Sequence, residues 1–156
     1  MSEAGRRERR AGTGTSGRGD RTITDSDKDN IGAMAKATKI RWLKKPEKHD
    51  YPAAKSYLML FYDEPTTDAQ VARLRKAAMA KFKAKDIFRA SRLSLLGVSN
   101  YHVRKDRKKI KAGEFLSPLL LVRDSASSRV VIADGYHRLC AVYSFDEDAV
   151  IPCKIA

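Results

Sequence analysis

The stretch that most constrains how this 156-residue chain can fold combines a strand, a glycine turn and a helix in fourteen consecutive residues. Val130 to Ala133 form a short apolar run rich in β-branched residues, which is typical of a buried strand. The next two residues, Asp134-Gly135, signal a turn. Leu139, Val142 and Tyr143 then follow at helical spacing. The sequence therefore predicts a strand that turns sharply into a helix.

The start of this predicted helix is a candidate anion site. The first N–H groups of a helix have no intrahelical acceptor, and together they attract negative charge. His137 and Arg138 lie in this first turn. A cation there opposes the helix dipole, so an anionic ligand would give Arg138 a reason to be present. An ordinary tight turn with a solvent-facing arginine is the other interpretation, and the residues alone leave both open.

Composition narrows the class of protein. The net charge is +13, and residues 51–156 alone carry 19 basic against 11 acidic side chains. We therefore expect a phosphate-bearing or polyanionic partner, including DNA or RNA. No apolar run approaches the roughly 18 residues of a membrane span, so no membrane partner is expected. Cys140 and Cys153 have no metal-ligand spacing; they are predicted to be free core thiols in a reducing cytoplasm, and no metal site is predicted.

Three segments are predicted along the chain. Residues 1–38 form a basic, glycine-rich arm that we expect to be disordered, and Met34 is an alternative start of translation. Residues 39–50 form a basic linker whose Trp42 either stacks on a base or pins the linker to the domain surface. Residues 51–156 form a single domain with helices at its N-terminal end.

Within that domain the patterns predict an α+β fold with a small mixed sheet. Asp50 and Pro52 indicate a helix start, and Thr67 with Gln70 forms a capping box ahead of a basic helix over residues 71–85. Strands are predicted at residues 116–122, 130–133 and 150–155, the first two antiparallel neighbours. Asn100 is expected to cap a second basic helix at Val103–Lys111. The two basic helices either bind nucleic acid or are solvated faces.

The order of these elements resembles the ParB/sulfiredoxin superfamily over about residues 85–156. The residues from Pro118 to Arg123 match a strand that begins with proline and ends in valine and arginine in ParB-type domains. The box Asp134-Gly135-Tyr136-His137-Arg138 is similar to the Gly-Cys-His-Arg turn of sulfiredoxins and to the Asp-Gly-His-x-Arg box of free-serine kinases. Ala141 matches the small residue in the following helix.

The resemblance implies a nucleotide at this box, with ATP or CTP as candidates and Mg²⁺ as a candidate cation. Gly135, Tyr136, His137 and Arg138 would contact the phosphates. His137 would act as acid or base, and Asp134 would orient a hydroxyl or hold Mg²⁺, unless it only caps the turn. A loop containing Asn100 and His102 would face the nucleotide.

Two departures limit the chemistry that the resemblance implies. Tyr136 stands where sulfiredoxins have their cysteine, so sulfinic-acid reduction is not expected. No acidic residue lies in 93–102, where free-serine kinases would need a glutamate. We therefore predict a nucleotide-phosphate-binding domain, with phosphoryl transfer and nucleotide hydrolysis as open activities. The alternative is a nucleic-acid-associated accessory protein that uses the basic helices without catalysis.

Overall fold

A four-stranded mixed sheet lies at the centre of the computed structural model, which describes residues 38–156. The strands are β1 (Arg41–Trp42), β2 (Ala80–Lys83), β3 (Phe115–Leu116), β4 (Leu119–Asp124), β5 (Arg129–Asp134) and β6 (Val150–Ile155). The helices are α1 (Asp50–Leu58), α2 (Glu64–Lys76), α3 (Ala84–Ser91), α4 (Tyr101–Lys111) and α5 (Tyr136–Phe145). The prediction of an α+β fold with a mixed sheet is confirmed.

The main sheet has the strand order β2-β6-β4-β5. The inner strands β4 and β6 are parallel, and each outer strand is antiparallel to its neighbour. The predicted antiparallel pairing of β4 with β5 is thus confirmed. Strands β1 and β3 form a separate parallel pair.

Helices cover both faces of the sheet because β4 is apolar on both sides. Leu119 and Leu121 belong to the core that α3, α4 and α5 complete, whereas Leu120 and Val122 belong to the core that α1 and α2 complete. All four side chains are at most 1% exposed. A strand buried on two faces shows a continuous apolar run, as this one does. The thiols of Cys140 and Cys153 are buried in the first core, as expected.

The capping box predicted at Thr67 and Gln70 is wrong. Helix α2 begins earlier, at Glu64, and the side chain of Asp63 caps it by accepting a hydrogen bond from the Thr66 N–H at 2.8 Å. Pro65 lies in the first turn, which suits a residue without an N–H. The side chains of Thr67 and Gln70 are instead buried within the helix.

The basic helix predicted over residues 71–85 is also wrong as one element. Helix α2 ends at Lys76, and Ala80–Lys83 form the edge strand β2, paired with Val150–Cys153 of β6. Alanine and lysine favour a helix, but backbone pairing with a strand about seventy residues away overrides that local preference. The helix at Val103–Lys111 is confirmed and begins two residues earlier, at Tyr101.

Two smaller predictions are corrected by β1 and β3. The segment expected to be a linker contains β1, and the Trp42 side chain packs against the core under α4 and α5, so it pins this segment to the domain. The predicted strand over 116–122 is interrupted at Ser117-Pro118, because Leu116 pairs with β1 while Leu119 pairs with β6.

The arm predicted over residues 1–38 and the proposed start at Met34 lie almost entirely outside the described residues. Within 38–156, no helix has the length and apolar character needed to cross a membrane.

Gly135 holds the β5–α5 turn in a conformation that other residues rarely adopt, with φ +105°. A Cβ atom there would lie 2.7 Å from Leu119 Cγ, far inside a normal contact. We expect Gly135→Ala to lower the free energy of unfolding by at least about 2 kcal/mol, through backbone strain and overpacking. Urea denaturation measures this change.

Gly113→Ala is the matched control, because Gly113 has φ +73° but its added Cβ would meet nothing within 4 Å. That variant carries only the backbone cost, about 1 kcal/mol. Equal destabilisation by the two substitutions would contradict the packing role of Gly135.

Candidate functional site

The turn between β5 and α5 presents an open helix start. Gly135 is the N-cap residue of α5 and makes no side-chain hydrogen bond to it. The first intrahelical bond runs from the Leu139 N–H to the Gly135 carbonyl at 2.9 Å. The N–H groups of Tyr136, His137 and Arg138 therefore precede the helical hydrogen-bond pattern and are free to meet an acceptor from outside the helix.

This helix start opens into a polar cleft of about 210 Å³ between α4 and α5. One wall comes from the turn and the first residues of α5, and the other comes from one face of α4. The lining residues are His102, Lys105, Asp106, Lys109, Asp134, Gly135, Tyr136, His137 and Arg138. All five residues of the box predicted from the sequence thus line the cleft.

Asn100 and His102, which were predicted to lie in one loop facing the ligand, have different roles in the structure. The His102 ring lies 4.8 Å from the His137 ring, measured between centroids, so His102 lies beside the turn. Asn100 instead caps α4: its side-chain oxygen accepts hydrogen bonds from the His102 and Val103 N–H groups. Asn100 therefore orients the helix, and His102 is the residue that reaches the cleft.

His137 is held in its neutral form around neutral pH. Burial lowers the pKa of its imidazole, and the nearby charges of His102 and Arg138 lower it further, although the Asp106 carboxylate acts in the opposite direction. A neutral imidazole can accept a proton or donate one hydrogen bond. An anion in the cleft would favour protonation and so raise the pKa.

Arg138 is engaged with two carboxylates of the protein. Its Nη2 donates to Asp134 Oδ2 at 2.6 Å and lies 3.8 Å from Asp50 Oδ2. The Asp50 side chain is only 2% exposed, and its Oδ2 also accepts a hydrogen bond from the Ser117 hydroxyl. Arg138 Nε is buried and makes no hydrogen bond within the described residues. The positive charge of Arg138, which the sequence suggested as a phosphate contact, is thus already paired with carboxylates of the protein.

Asp134 and Tyr136 are likewise tied into the structure. Burial raises the pKa of Asp134, while the charge and hydrogen bond of Arg138 lower it. The Tyr136 hydroxyl donates to the Ser94 carbonyl oxygen, and its ring packs against the core. Tyr136 can therefore serve the cleft chiefly through its backbone N–H, and Asp134 is positioned as the partner of Arg138.

Three residues of the cleft were missed from the sequence: Lys105, Asp106 and Lys109. They follow His102 by three, four and seven residues, which places them on the same face of a helix. Burial raises the pKa of Asp106, and the positive charges of Lys109 and Arg138 oppose that shift. This helical spacing is the sequence signal that could have identified the three residues. It does so only once His102 is known to line the cleft.

A set of side chains that could donate to a metal lies at the start of α1. Glu47, His49 and Asp50 offer donor atoms within 4.8 Å of one another. Asp50 Oδ2 already accepts hydrogen bonds from Ser117 and from the Glu47 N–H, and Oδ1 lies 3.3 Å from His49 Nε2. These contacts organise the start of α1, so the group is explained by the fold.

Neither cysteine has the character of a nucleophile. Burial raises the pKa of the Cys140 thiol and raises that of Cys153 to about 11. Both thiols stay protonated at neutral pH, and the thiolate is the reactive form.

Comparisons of the chain with models of protein families, with curated proteins and with solved structures find no significant match. The relationship to the ParB/sulfiredoxin superfamily therefore stays a prediction from the sequence.

Asp50 is expected to be a stability determinant that acts through Arg138. Asp50→Ala removes a buried acceptor of the Ser117 hydroxyl and one of the two carboxylates near Arg138. We expect the free energy of unfolding to fall by about 2–4 kcal/mol. Asp68→Ala, which removes an exposed partner of Lys55, is the control and should cost less than about 1 kcal/mol. Similar losses in the two variants, measured by urea denaturation, would refute this role of Asp50.

The lowered pKa of His137 predicts the direction of a pH dependence. The unfolded chain takes up the proton near the ordinary value of about 6.5, whereas the folded chain takes it up only at lower pH. Stability should therefore fall as pH decreases from about 6.5 towards the folded pKa, because the unfolded state binds more protons in that range. His137→Gln should reduce this loss.

Two measurements check the prediction: NMR titration of the His137 ring in the unliganded protein, and melting temperature against pH for both proteins. A ring that titrates at or above about 6.5 would show that burial does not control this group.

Proposed function

We propose that the cleft between α4 and α5 binds the phosphate groups of a nucleotide. One observation carries this proposal: the uncapped N–H groups at the start of α5 open into a cleft that also contains Lys105 and Lys109. Free N–H groups at a helix start together with lysine ammonium groups form a common phosphate-binding arrangement. The predicted resemblance to nucleotide-binding domains supports the same assignment.

The two lysines of α4 are the main source of positive charge for the ligand. Arg138 is balanced by Asp134 and Asp50, whereas Lys109 faces only Asp106 at 4.0 Å, and Lys105 makes no salt bridge within residues 38–156. Protonation of His137 would add positive charge as an anion enters the cleft, so the ligand would bind together with a proton.

The size of the cleft indicates which part of a nucleotide it would hold. A volume of about 210 Å³ lies below the roughly 300–1,000 Å³ of pockets that enclose a complete small ligand. We therefore place the phosphates inside and the nucleoside outside, where ATP and CTP differ. Mg²⁺ would come with the phosphates, and Asp106 is the carboxylate of the cleft that is not bonded to Arg138.

If the site is catalytic, His137 is the acid or base that we assign to phosphoryl transfer or nucleotide hydrolysis. Its imidazole is neutral at neutral pH and lines the cleft, so it can take a proton from a hydroxyl or water. Asp134 would act through Arg138 and not on the substrate. We place this activity in the cytoplasm, since the buried free thiols Cys140 and Cys153 suit a reducing compartment.

Thermal shift with ATP, CTP and inorganic tripolyphosphate, each with and without Mg²⁺, tests the proposal. A ligand at 100 times its Kd adds about 2.7 kcal/mol of stability. We expect at least one of these compounds to raise the melting temperature, and we expect the shift to vanish in the double variant Lys105→Gln/Lys109→Gln.

The matched control is Lys76→Gln/Lys81→Gln, which removes the same charge from α2 and β2, outside the cleft. This variant should keep the full shift. Absence of any shift in the unmodified protein, or equal loss in both double variants, would overturn the assignment of the cleft.

A further inference from the structure

Helix α4 carries more basic side chains than the two, Lys105 and Lys109, that line the cleft. Six of its eleven residues are Lys or Arg, and Asp106 is its single acidic residue. Lys109 lies 4.0 Å from Asp106, and Arg107 stacks on Phe145. The remaining four basic residues make no salt bridge within the described part of the chain; they are Arg104, Lys105, Lys108 and Lys111.

An exposed aromatic side chain lies within this charged surface. Tyr101, Arg104, Lys105 and Lys108 are spaced as i, i+3, i+4 and i+7, so they share one face of α4. All four are exposed, and Tyr101 is 63% exposed. We call these four residues the α4 outer face. Lys105 belongs both to this face and to the cleft, so the two surfaces are continuous.

Aromatic rings connect the outer face to the interior of the cleft. The Tyr101 ring lies 5.3 Å from the His102 ring, which lies 4.8 Å from the His137 ring. The cleft therefore has the start of α5 at one end and, beyond His102, the Tyr101 ring at its outer edge. Stacking rings next to a basic track are the features that proteins use to bind single-stranded nucleic acid.

We propose that the cleft and the α4 outer face together bind the phosphorylated end of a single-stranded nucleic acid. This inference rests on the proposed function, since the terminal phosphate occupies the same cleft. The end base stacks on Tyr101, and the next phosphates along the strand contact Arg104, Lys105 and Lys108. A duplex fits this arrangement less well because its bases are already stacked on one another.

Two further observations define the ligand. The cleft volume of about 210 Å³ lies below the usual range for pockets that enclose a complete small ligand, so we place the terminal phosphate inside it and the continuing strand over the outer face. No Asn or Gln lies on α4 to read base edges, so binding is expected to be independent of sequence. The shared chemistry is a terminal phosphomonoester on a single strand, at either its 5′ or its 3′ end.

Fluorescence anisotropy on the full chain tests the inference with oligothymidylate of about eight nucleotides. Three forms are compared: 5′-phosphorylated, 3′-phosphorylated and hydroxyl at both ends, each labelled away from the tested end. We expect one phosphorylated form to bind at least about tenfold more tightly than the hydroxyl form. Equal affinity of all three forms would overturn the inference.

Variants test the two parts of the surface. Tyr101→Ala should weaken binding of the preferred oligonucleotide by at least about fivefold, whereas Tyr101→Phe keeps the ring and should bind normally. Arg104→Gln/Lys108→Gln should reduce the slope of log K against log salt by about 1.4, for two lost phosphate contacts. Lys76→Gln/Lys81→Gln removes the same charge from α2 and β2 and should change neither quantity; equal effects of the two double variants would count against the outer face.

Failure of this inference is distinguishable from failure of the proposed function. If ATP, CTP or tripolyphosphate raises the melting temperature but oligonucleotides show no preference for a phosphorylated end, the cleft binds free nucleotides and the inference is wrong. If no small phosphate compound acts and oligonucleotides bind regardless of their ends, both are wrong, and α4 is a general polyanion surface.

Discussion

The contact of the partly buried side chains of Arg138 and Asp134 with the buried Asp50 is the interaction on which the arrangement of the site depends. Asp134 ends β5, Arg138 lies in the first turn of α5, and Asp50 begins α1. These elements come from both layers of helices and from the sheet between them. A buried charge is costly unless it is paired and hydrogen-bonded, so each of the three groups is acceptable only while the others hold their positions. The contact therefore fixes the direction in which α5 leaves the turn.

The same contact determines what the cleft can offer to a ligand. An arginine at a helix start normally suggests a phosphate-binding residue, but here two carboxylates already balance the charge of Arg138. The positive charge available to an anion comes from Lys105 and Lys109, on a helix that the motif does not include. The backbone N–H groups at the start of α5 can donate directed hydrogen bonds to an anion, and the lysines of α4 provide positive charge. The proposed binding would thus depend on the packing of α4 against α5 as much as on the glycine box.

Features carried by a local pattern could be predicted from the sequence. The strand–turn–helix around Gly135 and the buried run from Leu119 to Val122 are examples, because a short window contains their periodicity and turn chemistry. Strand β2 could not be predicted in this way, because its residues favour a helix and form a strand only by pairing with β6, which is distant in the sequence. Lys109 was missed for a similar reason: its position in the cleft follows from the packing of two helices, which no local pattern encodes.

The charge pattern of α4 gives an electrostatic reason to favour a larger polyanion over a free nucleotide as the proposed ligand. Arg104 and Lys108 are four residues apart, as are Lys105 and Lys109, and like charges at this spacing destabilise a helix by about 0.2–0.5 kcal/mol per pair. A nucleotide whose phosphates occupy the cleft can relieve the repulsion around Lys105 and Lys109 but leaves the charges at Arg104 and Lys108 unbalanced. A strand that continues across Tyr101 places further phosphates beside those residues. Because the repulsion extends beyond the cleft, the ligand that removes it has to extend beyond the cleft as well.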